Sequence, residues 1–325
     1  MDQLAQLKAI TVVSADTADL DAVEALKPQD ATTNPTFIAA IASSPKYASL
    51  VEEAATYAKE KCEKKSDALE LALDRLAVNL GKELAKRVPG FVSTEVDARQ
   101  SFSIERTVQR AKRIIDMYEA DGIPRDRVLI KVAGTWEGIQ AAKQLKGENI
   151  QCNITLIFSL AQAIASAQVG AMLISPFVGR MMDWHKKTLG VDSFAPAEDP
   201  GVVSVARIYA YYKTHGYNTI VMGASFRNLD EIKELAGVDR LTVSPKLLEE
   251  LQKSTQPLPR KLEPSIAAQS GDEFIDLSEE AAFRWMLNED ACATEKLAEG
   301  IRAFAADTIK ASPAGRHIYV EIPGG

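Results

Sequence analysis

Cysteine and histidine are scarce in this chain, three of each in 325 residues, and their placement excludes more than their number does. Cys62, Cys152 and Cys292 are widely spaced, odd in number and never form a C-x-x-C pair, which fits neither a disulfide framework nor a zinc site. They read as small buried hydrophobes in a reduced compartment. His185, His215 and His317 are scattered and none ends a predicted strand, so metal catalysis is disfavoured and no metal is expected. Glycine-rich nucleotide motifs are missing as well. No run approaches the roughly 18 to 20 apolar residues that span a bilayer, and the first ten residues hold no basic stretch followed by an apolar one. Positive charge is also in short supply: 38 Lys plus Arg face 45 Asp plus Glu, a formal net charge of -7. No overall positive field draws the chain to nucleic acid or to an anionic membrane. A soluble cytoplasmic protein is expected, and any phosphate it binds must be held by a local cluster.

What the chain does contain is alternation. Eight short β-rich runs, at 11–16, 30–33, 91–95, 128–133, 152–158, 172–177, 219–224 and 240–244, are separated by stretches of helical periodicity such as 66–86, 104–120, 135–146, 159–169, 204–215 and 229–236. Strands that alternate with helices make a parallel sheet. Eight of them in a chain of this length predict an α/β fold, a single (β/α)8 TIM-type barrel occupying residues 1–311. Two insertions are expected on it: a second helix within 38–89, and a longer loop over 183–201. Beyond the eighth strand the pattern predicts a helix at 245–253, a polar connector, and one long helix over 278–311. The tail from Ser312 to Gly325 is expected to be loosely ordered.

In such a barrel the residues at the C-terminal ends of the strands converge on one mouth. Here those ends are polar throughout: Asp16, Asn34 just past the second strand, Glu95, Lys131, Asn153 with Thr155, Ser175, Ser225 with Arg227, and Ser244. Lys131 lies in the apolar run Leu129-Ile130-Lys131-Val132-Ala133, so its amine must point into the lumen. Burial favours the neutral amine, the nucleophile that attacks a ketone to make an imine. Asp16 and Glu95 would oppose that by contact, so they are expected to act at one remove through water. Period-two alternation puts Asn153 and Thr155 on one face, where Thr155 would hold such a water. Arg180 and Arg227, each near a serine and following adjacent strands, suit a phosphate better than a single carboxylate does.

The residues at these positions fall into longer matching runs: Ala15-Asp16-Thr17, Gln29-Asp30-Ala31-Thr32-Thr33-Asn34-Pro35, Val92-Ser93-Thr94-Glu95-Val96-Asp97, Leu129-Ile130-Lys131, Ser175-Pro176-Phe177-Val178-Gly179-Arg180 and Gly223-Ala224-Ser225-Phe226-Arg227. On them the chain resembles the class I transaldolases of the non-oxidative pentose phosphate pathway. The resemblance implies that Lys131 forms the Schiff base, that Asp16 moves the proton of the hydroxyl at the bond being cleaved, and that Glu95 works through a water held by Thr155. It assigns Asn34, Asn153 and Ser175 to the dihydroxyacetone portion of the substrate, and Arg180, Ser225 and Arg227 to its phosphate. The implied reaction passes a dihydroxyacetone unit from sedoheptulose 7-phosphate or fructose 6-phosphate to an aldose phosphate, with no cofactor, in a chain that often forms homodimers.

Three positions depart from the usual pattern: Ala18, Phe91 and Gly134, the last expected to loosen the strand that carries Lys131. Two other readings stay open. One is an aldolase that releases dihydroxyacetone to water; Phe177 argues against it, because an apolar side chain beside the enamine supplies no acid and excludes water. The other is an inactive sugar-phosphate-binding protein on the same barrel.

Overall fold

The computed structural model describes residues 1–269 and 271–314, without the side chains of Lys65 and of residues 312–314. Eight strands close into a barrel in chain order. They are β1 (Val12–Asp16), β2 (Asp30–Thr32), β3 (Val92–Glu95), β4 (Val128–Ala133), β5 (Gln151–Ile157), β6 (Leu173–Pro176), β7 (Ile220–Gly223) and β8 (Arg240–Val243). Every neighbouring pair is parallel, β8 returning to β1. The alternation expected from the sequence is therefore present strand for strand.

Several crossover helices start where a side chain offers an oxygen to orphan backbone N–H groups. Asn34 caps Pro35–Ala42, Ser103 caps Ile104–Ala120, Thr135 caps Trp136–Gly147, and Ser159 forms a reciprocal capping box with Gln162. All six residues of β4 are buried, as expected of a strand covered on one face by helices and on the other by the lumen. The lower lumen is filled by Leu129, Leu173 and Met222, with Phe91 and Ile220 packed against them. The barrel is thus a plugged cup, open only where the strands end.

Several expectations need correcting. The loop expected over 183–201 is shorter, because the helix Val178–Leu189 continues through Asp183 with Met181 and Met182 buried beneath it. The next helix already begins at Pro200, capped by the Asp199 carboxylate. The single helix expected over 278–311 is two, Glu280–Asn288 and Ala291–Ala314; Asp290 breaks the run by accepting from the N–H of Ala293 at 2.9 Å. That second helix runs into the segment expected to be a loose tail, and residues 315–325 lie outside the described residues. Ser244 stands at the residue before the helix Pro245–Gln252, without a side-chain capping bond, instead of ending a strand. Gly134 is held from both sides, donating to Thr155 O at 2.8 Å and accepting from Gln162 Nε2 at 2.9 Å, so it does not loosen β4. Phe91 lies 5.2 Å from the guanidinium of Arg240, which also pairs with Asp30 at the closed end.

Candidate functional site

Parallel register assembles the centre of the site. Glu95 on β3 pairs with Lys131 on β4, and Lys131 pairs with Asn153 on β5, so three functional groups stand in one row across three strands. Lys131 Nζ lies 3.2 Å from Glu95 Oε2, an ion pair without hydrogen-bond alignment, and donates to the carbonyl of Thr33 at 3.2 Å. The expectation that Glu95 acts only at one remove is therefore overturned: residues paired in register on adjacent strands and facing one lumen have to meet. Burial pushes the Glu95 carboxyl above its ordinary pKa, and neighbouring Lys131 only partly offsets the shift.

Asn153 Oδ1 accepts from Ser175 Oγ at 2.7 Å, and its Nδ2 donates to Ser93 Oγ at 3.2 Å. Two positions on, Thr155 is buried with an Oγ1 that finds no partner among the described residues. Just past it β5 bulges: the register shifts between Ile154 and Ile157, and Leu156 takes φ +55, a left-handed conformation costly for a non-glycine residue.

Asp16 faces this row from β1. It accepts from Thr32 Oγ1 at 3.0 Å, and the Thr32 hydroxyl lies 2.8 Å from that of Thr242. Since Thr32 gives its one proton to Asp16, Thr242 donates to Thr32, forming a chain from β8 through β2 to β1. Asp16 keeps some exposed surface, yet its carboxyl sits deep enough for burial to push its pKa up, against the opposing pull of Lys131 and of the Thr32 hydroxyl.

The rim supplies the cations. Val178 N donates to Ala224 O at 3.0 Å and Gly179 N to Ser225 O at 3.1 Å, which draws the first turn of the helix Val178–Leu189 onto the loop after β7. A Cβ at position 179 would stand 2.6 Å from both Ser225 O and Arg227 Cγ, so only glycine allows the approach. Ser225 itself takes φ +59. Arg180 has its Cζ 5.0 Å from the Phe177 ring and 5.6 Å from the Phe304 ring, and burial together with nearby Arg227 lowers its pKa. Arg227 instead binds Asp183 at 2.8 Å.

One cavity of about 380 Å³ collects Asp16, Asn34, Lys131, Ser175, Phe177, Arg180 and Ser225. Of the residues singled out from sequence, Glu95 lines a neighbouring cavity of about 430 Å³ that shares Asn34. Asn153 and Thr155 form the lumen wall, and Arg227 is turned toward Asp183. The same lining includes Thr32, Thr242 and Phe304, which the sequence reading missed. Thr242 was within reach, since it lies two residues before Ser244, one strand period. Phe304 carried no signal beyond core periodicity. Among the described residues, no group of three or more His, Cys, Asp or Glu is arranged to hold a metal ion, and no helix is long and apolar enough to cross a membrane.

A family model described as Transaldolase/Fructose-6-phosphate aldolase matches residues 13–314. Among similar curated proteins, the transaldolase of Alteromonas mediterranea is 55% identical over 309 residues, 95% of this chain and 96% of that one. Transaldolase A of Pasteurella multocida is 54% identical over 308 residues, 95% of this chain and 96% of the relative. The transaldolase of Saccharomyces cerevisiae is 54% identical over 311 residues, 95% of this chain and 92% of the relative.

Proposed function

The chain belongs to the transaldolase/fructose-6-phosphate aldolase family and is an enzyme of the transferase class, and we propose that it passes a dihydroxyacetone unit between sugar phosphates through an imine on Lys131. The observation that carries this reading is the position of Lys131: a buried amine opening into a cavity that it shares with a carboxylate, Asp16, and with an arginine, Arg180, that pairs with no carboxylate among the described residues.

In the proposed sequence Glu95 takes a proton from Lys131 and the freed amine attacks the C2 carbonyl of sedoheptulose 7-phosphate or fructose 6-phosphate. The carbinolamine then loses water to give the imine. Glu95, in contact with the amine, takes and returns the protons of those steps, and Thr155 Oγ1, buried and without a partner among the described residues, is suited to hold the water that leaves and re-enters. Asp16 removes the proton of the C4 hydroxyl as the C3–C4 bond breaks, and its electrons flow into the imine to leave an enamine. Burial raises the pKa of Asp16 and so makes it a stronger base than a surface aspartate. The aldose phosphate departs; an acceptor aldehyde phosphate takes its place, the steps reverse, and water releases the new ketose. Asn153, Ser175 and Asn34 hold the hydroxyls of the three-carbon unit, while Arg180, Ser225 and Arg227 hold the phosphate, which in donor and acceptor alike sits on the aldehyde half.

Transfer is favoured over release because Phe177 is buried beside the cavity, edge-on to Phe158 at 5.7 Å and 71°. That wall brings no acid to protonate the enamine. We read the setting as cytosolic, in keeping with three cysteines that are all unpaired. The test is an assay for free dihydroxyacetone from fructose 6-phosphate with no acceptor present. No free dihydroxyacetone is expected: about one equivalent of glyceraldehyde 3-phosphate per site is released, and net turnover resumes on addition of erythrose 4-phosphate, because the enamine holds the three-carbon unit. Sustained release without an acceptor contradicts the transferase reading.

A further inference from the structure

The helix Ala291–Ala314 lies beyond the eight strand–helix repeats, yet one of its faces completes the mouth. Gly300, Phe304, Thr308 and Ala311 recur at steps of four, four and three, which places them on one side of a helix. Gly300 lies against Leu156, where a Cβ would stand 2.7 Å from Leu156 Cδ2, so the helix seats on the bulge of β5 beside Thr155. Thr36 Oγ1 donates to Asp307 Oδ2 at 2.6 Å and ties the helix to Pro35–Ala42. One turn beyond Gly300, Phe304 is 2% exposed and presents its ring to Arg180.

Two arginines stand at this rim and are held in different ways. Arg227 is paired with Asp183, a carboxylate that any incoming phosphate must displace or share. Arg180 makes no hydrogen bond or ion pair with a described protein group, and its guanidinium is flanked by Phe177 and Phe304. Aromatic rings restrain a long flexible side chain by packing and by the attraction of the ring quadrupole, without neutralising its charge. The full charge of Arg180 thus stays available to a dianion. We propose that Phe304 is a positioning residue that presents Arg180 to the phosphate, making the C-terminal helix a determinant of the preference for phosphorylated sugars. This rests on the reading that Arg180 takes the substrate phosphate. Because that phosphate sits on the aldehyde half, Phe304 acts on donor and acceptor alike.

The test compares wild type with Phe304→Leu, which keeps bulk and removes the ring, and with Phe304→Tyr, which keeps the ring. The readout is the ratio of kcat/KM for fructose 6-phosphate to that for fructose, in which a general packing defect cancels. In Phe304→Leu the ratio is expected to fall about tenfold, with KM for the acceptor aldose phosphate rising in parallel, while Phe304→Tyr stays within about twofold of wild type. A ratio unchanged in the leucine variant, or lowered as much by tyrosine as by leucine, overturns the proposal. Thermal stabilisation by inorganic phosphate gives a second readout that needs no catalysis. Wild type and Phe304→Tyr should be stabilised more than Phe304→Leu. Equal stabilisation in all three overturns the role of Phe304, whereas a wild type that phosphate does not stabilise overturns the underlying assignment of Arg180.

Discussion

The inner wall of the barrel and the rim above it are built on different principles. On the wall, Glu95, Lys131 and Asn153 sit in one row because three parallel strands share a register, and Asp16 is paired with Thr32 in the same way. Each group is fixed by backbone ladders on both sides of its strand. On the rim, Arg180, Ser225 and Arg227 come from helix starts and loops, and side chains hold them: two aromatic rings, a left-handed serine and a carboxylate. The wall therefore presents reacting groups with little freedom to move. The rim presents charges whose pairing a substrate can change. The proposed roles, chemistry on the wall and recognition at the rim, suit that difference.

Substitutions should separate the two regions by the kind of effect they have, not only by its size. Lys131→Ala is expected to lower kcat by about 10⁵-fold, the scale of losing a covalent nucleophile, measured with a coupled assay for glyceraldehyde 3-phosphate. Asp16→Asn should still form the imine but cleave roughly 10²- to 10⁴-fold more slowly in single-turnover experiments. On the rim, Arg180→Ala should act mainly through KM for phosphorylated substrates, raising it by about 10- to 100-fold. Asp183→Asn, by freeing Arg227, should lower that KM by roughly twofold to fivefold, since an exposed ion pair is weak. A wall variant that changes only KM, or a rim variant that changes only kcat, breaks the comparison.

The two regions also differ in how they respond to pH. Burial raises the pKa of both Asp16 and Glu95, so kcat/KM should fall with decreasing pH along a limb above the ordinary carboxyl range of about 4. A limb at the ordinary value contradicts the burial argument. On the rim, Glu231 accepts from the backbone N–H of Arg227 at 2.6 Å and is pushed from 4.5 to about 7, chiefly by burial. A raised folded-state pKa contributes stability that is present below 4.5 and lost as pH rises through about 7. Glu231→Gln should therefore flatten the decline in stability between pH 5 and 8, an effect of roughly 2 kcal/mol in urea melts.

Much of the wall was legible in the sequence because strands announce themselves twice, by composition and by period. Polar residues at eight successive strand ends pointed to Asp16, Glu95, Lys131, Asn153 and Thr155. What single strands do not encode is register, so the direct contact between Glu95 and Lys131 was read as a contact through water. A shift of one period likewise hid Thr242 behind Ser244. The rim was harder to read, because its geometry comes from packing between distant segments. Arg180 and Arg227 stand out by type and by their neighbouring serines, but the pattern around Asp183 reads as a loop although it lies in the helix Val178–Leu189. Phe304 was indistinguishable from any other core residue of a long helix, since nothing local says that its ring meets an arginine.

In the proposed reaction the amine of Lys131 becomes covalently bound to the substrate. This is tested most directly by treating the enzyme with borohydride in the presence of fructose 6-phosphate and mapping the peptides by mass. A stable adduct is expected on the peptide that carries Lys131, lost in Lys131→Ala and retained in Asp16→Asn. A label on another lysine, or none on the wild-type enzyme, contradicts it.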